Sequence, residues 1–591
     1  MRLRCSMLSM STPETPSDPS PINLNAAPGE PDFPTIDQIV DLRFADRLPL
    51  LCKEWASQRS ATPFSIIVMY WAKYFLLFIG GWAFFASFAD DYPGFFSFDW
   101  FFTWDAFQRA VLWCMLYELL GFGCSSGPMN GKFSPLIGGF LYFARPGTTK
   151  LSLVPNWPIL GGVTRSWLDV IGYVAMVLLL GRVLIASEIT PGMLAPALIL
   201  LPILGLMDKT LFLAARAEHY YTALVVLALA KGDVTLGVAG SQMLWMAIWF
   251  WAAMSKVNHH FGSVIMVMMN NGPFFPTWLK SKLFVDEPHD LRPSPLAHWI
   301  SHFGAATEAS IPFLFLFLGH DPLMAGLIAF VATGFHGFIA LNNPSGMPIE
   351  WNIMMIYGSW ALFFMHPEVS VLMLPSAMPV LFAILLLVLF VIPAYGNFYP
   401  RHVSFLIAMR YYAGNWAYNT WLFRGDAIEK LKNCKKASGT LAEQLEGMGV
   451  DELGVRAAGI SAATSRFLHL QGRVLHDAVP HAVDDVDNYE WFDGEMIAGM
   501  TVGWNFGDGH LGHESLARVL QPQCQWEPGE VRVISVEAQP LFGPTMKWRV
   551  FDVASGPIAE GETQMGPAEA LQPWPVGERA EAFHHGSAPA R

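Results

Sequence analysis

An amine, a carboxylate and an imidazole stand in or beside long apolar runs of this chain. Lys256 closes the run from Trp245 to Met254, with Asn258, His259 and His260 just after it. Glu308 lies between Ala305 and Pro312, and His336 between Thr333 and Gly337. Asn342 and Asn343 open an Asn-Pro-Ser-Gly turn, and Glu350, Trp351 and Asn352 begin the next apolar run. An ionised side chain at mid-bilayer costs on the order of a few kcal/mol, so such groups mark sites more often than anchors. A partly desolvated amine can act as a general base or a Schiff-base nucleophile. Lys256, Glu308 and His336 are therefore the candidate catalytic residues. Asn258, Asn342, Asn343, Trp351 and Asn352 are the candidates for holding a substrate carbonyl or oxyanion. Plainer readings stand beside these: a lysine at a span end snorkels to the interface, a buried histidine is often a hydrogen-bonded core residue, and Asn-Pro-Ser-Gly is ordinary turn chemistry.

The histidines permit a second chemistry. His298 and His302 are spaced i, i+4, so one helical face could offer both to a metal, with His259, His260, His289 and His336 as further ligands. That pattern resembles the histidine boxes of membrane di-iron desaturases and hydroxylases, but Lys256 stands where a third histidine belongs. His510 and His513 form a weaker local pair in a Gly-rich turn. No metal ligand set is assigned, and the cofactor is left unknown. The six cysteines include no Cys-x-x-Cys pair, which argues against a disulfide framework or zinc ribbon. Walker, dinucleotide-binding and nucleophile-elbow motifs are absent from the sequence.

The elements that must position these residues are membrane helices. The chain has 591 residues, 53% hydrophobic and 14% charged, where soluble proteins carry roughly 25% charged residues. The fold class expected is an all-α polytopic membrane protein of about ten transmembrane helices with a small C-terminal α+β soluble domain. Spans of roughly 20 residues are expected near 64–88, 104–124, 167–187, 192–210, 212–230, 235–254, 299–318, 323–341, 351–365 and 371–394. The fifth is interrupted by Arg216, Glu218 and His219. Residues 133–143 and 262–276, bracketed by Gly and Pro, suit re-entrant or interfacial segments.

The organisation expected is a disordered N-terminus (1–35), an amphipathic helix (36–63), an N-terminal transmembrane region (64–234) and a transmembrane core (235–395). Interfacial aromatic helices (396–424), the soluble α+β domain (425–566) and a disordered tail (567–591) follow. Strands are expected at Val531–Val536 and Lys547–Phe551, where apolar and polar residues alternate. The amphipathic helix suits either a membrane surface or a cap packed on the protein. Arg43, Arg47, Lys53 and Arg59 before the first span, and the basic loop of Lys132, Arg145, Lys150 and Arg165, place both termini on the cytoplasmic side.

Residues 235–365 resemble the transmembrane domain of vitamin K-dependent gamma-carboxylases and their bacterial relatives. The likeness rests on the aromatic span ending in Lys256 before Phe261-Gly262, on Glu308 ahead of an apolar run, and on Phe335-His336 before an Asn-containing turn. It implies that Lys256 is the base. The whole chain also resembles an uncharacterised bacterial integral-membrane family known only as a domain of unknown function, which implies the bacterial cytoplasmic membrane. The function expected is an enzyme acting on a lipid-soluble or quinone-like substrate by lysine-based proton abstraction. The alternatives are a transporter or lipid-handling protein, a histidine-ligated oxygenase or desaturase, and a non-catalytic scaffold. Partners expected are membrane lipid and a quinone or lipid substrate; with no basic run, nucleic acid is not expected.

Overall fold

Apolar runs with few charges form helices here because a membrane-buried backbone must satisfy its own hydrogen bonds. The computed structural model describes residues 22–59, 64–123, 138–342, 349–411, 414–504 and 509–585. Six described helices are long and apolar enough to cross a membrane: Ile67–Ala86, Trp167–Leu184, Val234–Met254, Pro295–Leu318, Pro322–Asn342 and Pro379–Phe398. Four other expected spans are shorter. They form Trp104–Leu119, Pro191–Met207, Tyr220–Leu229, and Ile349–Gly358 with a following π turn at Ser359–Phe364. The charged triplet Arg216, Glu218 and His219 lies in the turn before Tyr220 and shortens that helix at its start.

The helices that matter for the site are α1 (Val234–Met254), α2 (Phe261–Asn271), α3 (Pro295–Leu318), α4 (Pro322–Asn342) and α5 (Ile349–Gly358). Helix α1 is the centre of the bundle: 83% of its apolar window is buried, against 28% for α3 and 33% for α4. The last two therefore form the lipid-facing wall on this side. Helix α2 occupies the segment expected as re-entrant from 262; of the other such segment, 133–137 lies outside the described residues and 138–143 forms a short helix.

Beyond the bundle lies a five-stranded antiparallel sheet of β1 (Tyr418–Arg424), β2 (Tyr489–Asp493), β3 (Val531–Val536), β4 (Thr545–Asp552) and β5 (Gly556–Gln564), in the order β2-β1-β3-β4-β5. Strands run at both places where alternation predicted them. The expectation of aromatic interfacial helices through 424 is corrected at β1. Its Tyr, Thr, Trp and Phe are strand formers, it pairs on both edges, and Trp421 is fully buried. The N-terminal helix Phe44–Gln58 packs on this unit, with Phe44 stacked on Trp491 at 4.2 Å. The tail expected as disordered from 567 is also corrected. Residues Glu578–His585 form a helix, and Phe583 is buried beside Phe467 and His476. Of the N-terminus expected as disordered, 1–21 lies outside the described residues, while Lys53 donates to the carbonyls of Leu24 and Ala26.

Two basic residues counted for orientation do not face a membrane surface. Lys150 pairs with Asp169 at 2.7 Å and Arg165 with Asp208 at 2.5 Å, and all four are buried. Burial of an unpaired charge would cost several kcal/mol, so the acids complete these positions.

Candidate functional site

Helix α1 ends at Met254, and the turn after it delivers Lys256 to the gap between α1, α3 and α4. Glu308 lies inside α3, where Ala305, Ala306 and Ala309 keep its surroundings small. The Lys256 ammonium donates to the Glu308 carboxylate, and both side chains are almost fully buried. The ammonium also lies 5.6 Å from the ring centre of Phe261 and 5.8 Å from that of Phe335. Aromatic faces are the apolar surface that a cation tolerates best.

His336, on α4, is fixed from both sides. The Trp249 indole N–H, which can only donate, points at its Nε2 at 2.9 Å. Nε2 must therefore be the acceptor, and Nδ1 carries the hydrogen and donates to Asn352 Oδ1 at 2.9 Å. Both ring nitrogens are engaged, and the ring is held neutral. The chain Trp249–His336–Asn352 ties α1, α4 and α5 together.

These groups line one cavity of about 510 Å³, within the usual size range of small-molecule sites. Lys256, Glu308, His336, Trp351 and Asn352 all reach it; the rest of its wall is mostly Phe, Ile, Met and Gly. Two sequence candidates fall elsewhere. Asn258 turns away to the sheet unit, donating to Pro540 O at 3.1 Å and accepting from Phe542 N at 3.2 Å. Asn342 is buried and donates to Phe338 O at 2.8 Å, back along its own helix. Asn343 lies outside the described residues.

The histidine cluster does not assemble around the cavity. His259 and His298 both approach Glu569, at 2.9 and 3.6 Å, while His302 and His289 are exposed. His510 contacts both oxygens of Glu537 at 3.1 Å, and that contact helps hold the Glu537 carboxyl down at about 2 against the opposing effect of burial. Among the described residues, no group of three or more His, Cys, Asp or Glu side chains could hold a metal ion.

Sequence reasoning missed four features. Trp249 and Tyr411 are cavity walls, and nothing in an aromatic-rich stretch singles out one ring. Arg216 and Glu218 form a buried pair at 2.9 Å, and His219 packs against Trp351 and Tyr411 behind that wall. Glu118, inside the apolar helix Trp104–Leu119, and Glu350 are both buried acids. An acid within an apolar run was the available signal. Cys434 and Cys524, 90 residues apart, bring their sulfurs to 3.4 Å in the sheet unit.

A protein family described as transmembrane protein of unknown function (DUF3556) matches residues 29–582. The chain belongs to this family. No curated protein and no solved structure matches it. Family membership and the apolar helices make it a membrane protein, whose exposed helix faces contact lipid.

Proposed function

We propose that this membrane protein is an enzyme that abstracts a proton from a lipid-soluble or quinone-like substrate, with Lys256 as the base. One observation carries the reading: a buried Lys256–Glu308 pair on the wall of an apolar cavity with room beside it for a ligand. An ammonium has no lone pair, so Lys256 acts as a base only once its proton has passed to the Glu308 carboxylate, which leaves a free amine beside a carboxylic acid. Taking a second proton leaves the pair cationic. In an apolar cavity that is tolerable only if the substrate anion remains alongside, so the arrangement couples deprotonation to anion stabilisation. Asn352 and Trp351 are the polar groups that would orient the substrate, and His336 holds Asn352 in place. The resemblance to the carboxylase transmembrane domain supports the assignment of Lys256. The basic segment before the first span supports cytoplasmic termini in a bacterial inner membrane.

The test begins with the protein in lipid nanodiscs. Its bound lipids are extracted, identified by mass spectrometry and returned to it in D2O. The expected result is one neutral lipid or quinone enriched over bulk membrane, which gains deuterium with the wild type and not with K256A. A lipid profile equal to the bulk membrane, or equal exchange with K256A, would remove Lys256 as base.

A further inference from the structure

We infer that the cavity is entered sideways from the bilayer, between α3 and α4, by a long-chain lipid whose head carries no net charge. This rests on the substrate-site reading above and adds the route and the class of molecule.

The route is written in the exposure of the wall. Phe303 on α3 is 61% exposed, and Phe330 and Val331 on α4 are 71% and 45% exposed, yet all three line the same cavity that holds the buried Lys256–Glu308 pair. A residue can do both only at an opening. The helices bearing it are among the three spans with least protein cover, so the opening faces hydrocarbon rather than water. Gly304 and Gly334 also line the cavity, and a Cβ placed on either would meet nothing within 4 Å. Gly304 is nine residues from the start of α3 and Gly334 eight from the end of the antiparallel α4. At a rise of 1.5 Å per residue both lie roughly 12–14 Å from the same end of the helix pair. The two glycines therefore face the gap at matching depth, within the hydrocarbon layer.

The class follows from charge. The cavity wall carries one cation, Lys256, and one anion, Glu308, which neutralise each other. His336 is held neutral by the Trp249 N–H at its Nε2. Among the described residues lining the cavity nothing is left to balance a phosphate, carboxylate or ammonium head, and an uncompensated ion in such surroundings is disfavoured. A ketone, quinone or alcohol head can hydrogen-bond to the pair and to Asn352 without that penalty, while its chain lies out through the glycine gap.

The experiment uses the full chain in phosphatidylcholine nanodiscs with two photoreactive probes of equal length, a long-chain alcohol and the corresponding fatty acid, each bearing a diazirine near its head. Ile265 and Met268, on the α2 wall of the cavity, report entry by peptide mass spectrometry. The alcohol is expected to label them at least about tenfold more than the acid. G334L and G304L should reduce that labelling while leaving the melting temperature near wild type. E308Q, which strips the counter-charge from Lys256, should shift the preference toward the acid. Undiminished labelling in both glycine variants, or stronger labelling by a water-soluble carbene reagent than by the alcohol, would overturn lateral entry. Equal labelling by both lipid probes would overturn the neutral-head assignment. Probe entry that persists where K256A and wild type show equal deuterium exchange would keep the portal and discard only the enzyme.

Discussion

Removing either partner of Lys256–Glu308 strands an ion in an apolar wall, which costs about 3–5 kcal/mol in comparable buried pairs, whereas replacing both with apolar groups is often neutral. K256M and E308L are therefore each expected to lower the thermal midpoint measured by tryptophan fluorescence, and the double variant to recover it without recovering deuterium exchange. A double variant that exchanges normally would make the pair purely structural. The types and neighbours of these two residues were legible in the sequence, since charge in an apolar run needs a partner. Their pairing was not, because 52 residues separate them and only packing decides which acid meets which amine. His336 shows the limit more sharply. Its place in an apolar run marks it as a candidate catalytic residue, but its hydrogen bonding is set by a Trp249 N–H that no spacing rule connects to it.

At the scale of elements, the long uncharged helices were readable by length and apolarity. The shorter ones and β1 were not. Strand β1 follows an aromatic stretch at the end of the last span, and local composition alone does not separate a buried strand from an interfacial helix. Its partners β2 and β3 lie about 70 and 110 residues on, and tertiary pairing decides its form. Behind this sheet packs the helix Gly472–Ala482, which carries His476, buried and 3.1 Å from Pro573 O. Burial, with Arg473 adding to it, lowers the His476 imidazole to about 3. In an unfolded chain the same group takes a proton near 6.5. Between these values the unfolded state binds the proton and the folded state does not, so stability is full above about 6.5 and falls as pH drops toward 3. The unfolding midpoint of the sheet unit is expected to decline from pH 7 to pH 4, and H476Q should flatten the decline. An unchanged slope in that variant would place the pH sensitivity elsewhere.

At the scale of the molecule, the sheet unit is fastened to the membrane bundle at several places, among them Tyr142 to Thr501, Lys209 to His510 and the loop at 539–542. Asn258 holds Pro540 and Phe542, Asn415 exchanges two hydrogen bonds with Gln539, at 2.7 and 2.8 Å, and Leu541 N donates to Asn397 O at 2.8 Å. Asn258, read from sequence as a substrate ligand, is instead one of these fasteners; asparagine next to a candidate base looks the same in either role. N258L is expected to insert normally and to raise amide hydrogen exchange across 539–543, with the sheet core unchanged. Protection equal to wild type would show that the other asparagines suffice.

The fastening point at Asn258 stands two residues beyond the amine, on the turn that carries it. Whatever shifts the sheet unit, a docking neighbour or a change in the surrounding lipid, is therefore passed along two peptide planes to the residue whose nitrogen lines the cavity, so the grip of Lys256 on its carboxylate is coupled to how that unit is seated.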